Sequence, residues 1–81
     1  MQTHSTRLQR MIKNEQERQR IGEDIAAIRA EQGITQQELA DRTGLLRNHV
    51  CRIEKGRLSV GFDHLAAIAE ALGKKVAFID K

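Results

Sequence analysis

Residues 36–53, QQELADRTGLLRNHVCRI, set small, apolar and polar side chains at the places where two helices crossing at a tight turn need them. Just ahead of this stretch Thr35 stands three residues before Glu38, a capping box that satisfies orphan amides and opens a helix. Leu39 and Ala40 then face inward, and the short side chain of Ala40 lets a second helix approach at a steep crossing. Gly44 falls where three or four residues must reverse the chain, and glycine takes positive φ without steric cost. Leu45 plugs that turn. In the following helix Val50 and Ile53, three apart, share one face, while Arg47, Asn48, Cys51 and Arg52 lie off it. The outward face is therefore rich in groups that can read base edges.

Composition narrows the rest. Eighty-one residues allow one small domain, too short for a deep enzyme cleft. Phe62 and Phe78 are the only aromatic residues. Stacking on unpaired bases is thereby disfavoured as a binding mode. A single cysteine forbids an internal disulfide, and no signal-type or membrane-length apolar run is present. A cytoplasmic protein with no membrane partner is the expectation. The net charge of +3 is unevenly spread. Arg7, Arg10, Lys13, Arg18 and Arg20 make the first twenty residues basic, and residues 21–43 are net acidic. Arg47, Arg52, Lys55 and Arg57 then gather positive charge on the second helix of the pair and the loop after it, as phosphate contact requires.

Working outward, Ile21, Ile25 and Ile28 begin a helical stripe in a helix of roughly Glu17–Glu31, for which an N-terminal extension into a charged helix stays open, with Leu8, Met11 and Ile12 a small apolar patch ahead of it. Residues 1–4 are expected to be disordered. The stretch 1–19 is a basic extension for which three forms stay open: a helix that adds to a dimer, an arm along a DNA backbone, or a disordered tail. The next helices are expected over Gln36–Thr43, Arg47–Lys55 and Phe62–Leu72, the last started by Ser59 or Gly61 and ended by Gly73. Residues 20–73 thus form one helical domain. In 74–81 the period changes: Val76 and Phe78 alternate with Ala77 and Ile79 over a strand's length. A lone strand needs a partner. Val76, Phe78 and Ile79 are expected either to pair with the same segment of a second copy about a two-fold axis or to pack on their own helices.

Gln36, Leu39, Ala40, Gly44, Val50 and Ile53, followed by Glu54-Lys55-Gly56 and later by Ala71-Leu72-Gly73, resemble the helix-turn-helix domain of the phage Cro/repressor family, also called the Xre family. The likeness covers residues 21–73. It implies an all-α, lambda-repressor-like bundle of four to five helices, with the short C-terminal strand as an addition. It further implies that Arg47, Asn48 and Arg52 reach base edges, where arginine forks onto guanine and asparagine pairs with adenine. Leu46 stands where the family usually carries a capping Ser or Thr, so it either weakens the helix start or touches a thymine methyl. Gln36 and Thr35 at the start of the preceding helix, His49 on the reading helix, and Lys55 and Arg57 in the loop, match phosphate-contacting positions. A solvated Gln36 stays open, as does a half-buried packing role for His49. Arg29 and Glu54 match an ion pair that ties the first helix to the end of the reading helix.

Enzymatic chemistry finds no support. His49 and Cys51 are two apart on a helix and point apart, so they form neither a metal pair nor a nucleophile and base. His4 lies near the start and His64 in the first turn of the last helix, and no glycine-rich phosphate loop is present. Cys51 reads as a small filler or an exposed thiol. No catalytic residue, metal or cofactor is expected. The sequence thus points to a homodimeric, sequence-specific repressor on an inverted-repeat operator, its half-sites roughly 34 Å apart. Two alternatives remain: an antitoxin binding a toxin protein through Leu8, Met11 and Ile12, and an interaction module without DNA readout.

Overall fold

A computed structural model describes residues 6–80 and contains four helices: α1 (Arg7–Glu31), α2 (Gln36–Thr43), α3 (Arg47–Glu54) and α4 (Phe62–Ala71). The architecture is all-α, at the lower of the two helix counts the sequence allowed. The expectations for residues 1–4 and His4 fall outside the described residues.

Helix α1 starts at Arg7, the extended form of the two the sequence left open, so the basic stretch from Arg7 onward continues the helix. A second capping box opens it: Gln9 N donates to Thr6 Oγ1, and Thr6 N donates to Gln9 Oε1. Further along, Arg20 donates to Glu17 and to Asp24, one turn before and one turn after it. Arg20 is consequently held protonated more firmly than usual, chiefly through its hydrogen bond to Glu17.

Leu39 and Ala40 of α2, Val50 and Ile53 of α3, Ile68 and Leu72 at the end of α4, Ile25 of α1 and Ile34 of the α1–α2 loop make the core. Leu39, Val50 and Ile68 are sealed from solvent, and Ile21, Ile28, Leu45, Leu58 and Leu65 pack around them. Gly22, a breaker by propensity, is buried inside α1 because α3 ends against it. A Cβ there would stand 2.6 Å from the carbonyl oxygen of Glu54 and closer still to that of Ile53. The missing side chain is what lets α1 and α3 cross at backbone distance. Gln32 adds a tie, its Nε2 donating to Leu72 O at 2.8 Å where α4 runs out of partners for its carbonyls.

The C-terminal segment departs from its expected form. No strand is present over residues 74–80. A strand is defined by a ladder of backbone hydrogen bonds to a neighbour, and the described chain supplies no neighbouring strand. Packing on its own helices is only half realised. Val76, Ala77 and Ile79 line a groove with Ile25 and Ile28 of α1 and Ile68 of α4, yet Val76, Phe78 and Ile79 remain exposed.

Candidate nucleic-acid interface

The turn between α2 and α3 is built by backbone chemistry. Gly44 takes the left-handed conformation, φ 75°, and its amide donates to Ala40 O. Leu45 N also donates to Ala40 O, at 3.1 Å. The Thr43 hydroxyl donates to Leu39 O at 2.8 Å, so this side chain is turned onto its own helix. At Thr35, Glu38 N donates to Oγ1 while Thr35 N donates to Glu38 Oε1. That backbone hydrogen bond is the main reason the Glu38 carboxyl is held below its usual 4.5.

Helix α3 begins without help from a side chain. Leu46 is in N-cap geometry but makes no side-chain cap bond, and it is 63% exposed. Its carbonyl accepts from His49 N and Val50 N. From this start the helix divides cleanly. Val50, Ile53 and Glu54 are buried, whereas Arg47, Asn48 and Arg52 are exposed, with His49 and Cys51 half-buried between the two faces. The exposed groups are the donor forks of two arginines and the amide of one asparagine, the side chains suited to guanine and adenine edges.

A buried carboxylate holds this helix to its scaffold. Glu54 accepts from Arg29 Nε at 2.6 Å and from Arg29 Nη2 at 3.1 Å, a bidentate arrangement, with its side chain only 6% exposed. Arg29 Nη1 also donates to Ile34 O at 2.8 Å. The hydrogen bond to Glu54 raises the pKa of Arg29, more than offsetting burial. The remaining partner of Glu54 is Gln36, whose Nε2 donates to Oε1 at 2.9 Å. Gln36 therefore differs from both placements left open for it, solvated or facing a phosphate: its amide turns inward and donates to a buried carboxylate. Its backbone amide, in the first turn of α2, still lies among the amides that a helix leaves without internal partners.

Lys55 and Arg57 are exposed just beyond α3. Between them Gly56, φ 72°, packs on Gln19 of α1, whose Cα would stand 2.8 Å from a Cβ at that position. Arg57 N donates to Arg52 O at 2.8 Å, which fixes the loop against α3. The structure thus brings Leu46, Arg47, Asn48, Arg52, Lys55 and Arg57 onto one helix and its adjoining loop, with Thr35 at the start of α2. The sequence alone did not mark Ile34 and Gln32 as structural ties, nor Gly22 as a point of close contact. The signal for Gly22 was a glycine inside an otherwise unbroken helical pattern. Among the described residues, no group of three His, Cys, Asp or Glu is placed to hold a metal ion. No helix there is long and apolar enough to cross a membrane.

Comparison with known proteins accords with this geometry. A family model described as helix-turn-helix matches residues 25–79. Over 59 residues the chain is 39% identical to an immunity repressor protein of Bacillus phage phi105, a match covering 73% of this chain and 41% of that protein. The chain thus spans less than half of that repressor's length. A match of 45% identity over 47 residues joins it to an HTH-type transcriptional regulator of Methanothermobacter thermautotrophicus, covering 58% of this chain and 68% of the relative. Among solved structures, the clp gene regulator ClgR of Corynebacterium glutamicum superimposes with a TM-score of 0.71 at 32% identity, over 73% of this chain and 76% of that one.

Proposed function

The chain belongs to the Cro/C1-type helix-turn-helix (Xre) family of transcription regulators, and from that premise we propose that it is a homodimeric repressor reading double-stranded DNA with α3 in the major groove. The single observation that carries the proposal is the division of α3. One face is sealed into the core and clamped through Glu54, and the other offers Arg47, Asn48 and Arg52 to solvent with no acid among them. A helix held this rigidly presents its donors with little ordering left to do on binding.

In this reading Arg47 and Arg52 donate to guanine O6 and N7, and Asn48 pairs with adenine N6 and N7, each good bidentate pair discriminating by about 1–3 kcal/mol. Lys55, Arg57, Thr35, His49 and the α2 start hold phosphates, which position the helix without reading sequence. Leu46, exposed at the head of α3, is placed to meet a thymine methyl. Two copies about a two-fold axis match an inverted repeat with half-sites roughly 34 Å apart, and repression follows from occupying a promoter. The phage relative, named an immunity repressor, supports repression as the outcome.

The test is selection of bound duplexes from random DNA, followed by titration of wild type, Arg47→Ala and Lys55→Ala. An enriched inverted repeat is expected, with preference relaxed by Arg47→Ala and binding weakened on all sequences alike by Lys55→Ala. Equal losses on selected and scrambled DNA for Arg47→Ala refute the division of roles. A second reading, an antitoxin that also binds DNA, has one observation behind it: Leu8, Met11 and Ile12 are exposed on the early turns of α1. Co-purification with a second protein that Leu8→Asp abolishes is its test.

A further inference from the structure

Helix α1 continues upstream of its crossing with α3 at Gly22, and this continuation leaves an open groove of about 300 Å³ between α1, the loop after α3 and α4. Ile21, Ile53, Leu58, Val60 and Leu65 make its apolar floor, with Asn14, Glu17 and Arg18 of α1 along one lip and Ser59 along the other. Asn14, Glu17 and Arg18 precede residue 25, where the helix-turn-helix match begins, so this wall comes from the chain's own extension of α1 and not from the matched domain. Arg18 is half-buried, yet among the described residues it has neither a hydrogen-bond nor an ion-pair partner. Its neighbour Glu17 is bound to Arg20, and Arg29 has Glu54. A guanidinium carries five donors and no acceptor. Those of Arg18 are left to whatever enters the groove.

We infer that this groove binds a small amphipathic carboxylate, its anionic end forked by Arg18 and its apolar body laid on the floor of Ile21, Ile53, Leu58, Val60 and Leu65. The inference goes beyond the DNA reading and stands without it. Size is the first argument. Ligand pockets run from about 300 to 1,000 Å³, which puts this groove at the small end. One water, a single heavy atom, takes about 30 Å³ of liquid, so the groove has room for about ten heavy atoms. Octanoate is a carboxylate of that size.

Charge is the second argument, and it selects the occupant. The guanidinium fork matches the two oxygens of a carboxylate, and a charge-assisted pair of this kind is about twice as strong as a neutral hydrogen bond. A phosphate ester, with a charge of about −1.5 to −2, would face a single arginine with Glu17 on the same lip. A cation meets Arg18 as a like charge, and a wholly apolar molecule leaves its donors without an anion. The Asn14 amide and the Ser59 hydroxyl add neutral hydrogen-bonding groups at the two lips. DNA is not the occupant, because the floor is apolar and α3 contributes to it only Ile53, from its buried face.

The deciding experiment is a nuclear magnetic resonance titration of the full chain with octanoate and, separately, with 1-octanol, for wild type, Arg18→Gln and Val60→Asp. Saturable shifts are expected at the methyl groups of Ile21, Ile53, Leu58 and Leu65. In wild type octanoate is expected to bind about tenfold more tightly than octanol, the difference that a hydrogen-bonded charge supplies. Arg18→Gln is expected to remove that preference while leaving octanol binding unchanged, and Val60→Asp to abolish both. If Val60→Asp loses helical circular dichroism, the Arg18→Gln comparison decides alone. Shifts that do not saturate, or that centre on the groove beneath Val76 and Ala77, overturn the inference. So does a preference for octanoate that survives Arg18→Gln, or octanol binding as tight as octanoate in wild type, which describes an apolar groove suited to a protein side chain and not to an acid.

Discussion

Replacing Gly22 with alanine sets two opposing effects against each other, and the structure says which wins. By propensity alone, glycine to alanine inside a helix gains about 1 kcal/mol. Here the new methyl group meets the carbonyl oxygens of Ile53 and Glu54, the latter at 2.6 Å. Both obstacles are backbone atoms at the end of α3, so no side-chain rotation relieves them and the α1–α3 crossing has to open. Overpacking of this kind costs about 1–3 kcal/mol, and backbone obstacles place it at the upper end. The net expectation is a loss of about 2 kcal/mol, which lowers the melting temperature of a domain this size by about 8–16 °C. Thermal unfolding followed by circular dichroism measures it, with Ala27→Gly on the exposed side of α1 as the reference for propensity alone. The close-crossing argument is refuted if Gly22→Ala raises the melting temperature, because that is the result propensity gives without a neighbour. Opening the crossing also moves α3, so weaker DNA binding is expected to accompany the lost stability.

Three further outcomes follow from the same geometry. Leu46→Ser supplies the missing cap acceptor at the start of α3 and is expected to stabilise the fold by about 1 kcal/mol; an unchanged urea midpoint counts against the cap assignment. Arg29→Ala leaves the buried Glu54 carboxylate with Gln36 as its remaining side-chain partner and is expected to cost about 3 kcal/mol, the lower end for a broken buried pair; a loss under 1 kcal/mol in denaturant titration contradicts the clamp. The Glu38 carboxyl is held below 4.5 by its hydrogen bonds at Thr35. Its contribution is thus present above the unfolded carboxylate pKa and disappears as pH falls through the lowered folded value. Glu38→Gln keeps the capping bond and removes the charge, so the acid limb of a stability-against-pH curve should flatten; an unaltered limb rules that coupling out.

The inward positions of α2 and α3 were legible because helical spacing and side-chain size state them directly. Leu39, Ala40, Val50 and Ile53 need only a period of 3.6 and an apolar interior to be placed, and Thr35 with Glu38 announces a helix start through local hydrogen bonds. The exposed set on α3 followed as the complement of the buried one. Residues whose partners lie far along the chain were harder to read. Gln36 carries the same amide whether it faces a phosphate or a carboxylate, and only the arrival of Glu54 beside it decides. The beginning of α1 was open for a related reason: a polar, basic stretch can be helix, arm or coil, and the Thr6–Gln9 box is a small signal beside the charge.

From its sequence alone this chain determined four elements and their polarity: which helices form, where Gly44 turns the chain, which residues go inward, and which cations stay outside. These are set within a few turns, where spacing, capping and the freedom of glycine act on near neighbours. Tertiary structure alone decided that Gly22 is a point of contact rather than a weakness, that Gln36 joins Arg29 on the buried Glu54 carboxylate, and that the apolar outer face of α4 is left uncovered beside a C-terminal segment with no ladder to join. Each of these depends on which distant backbone or side chain arrives at a given place, and no local pattern of residues encodes that.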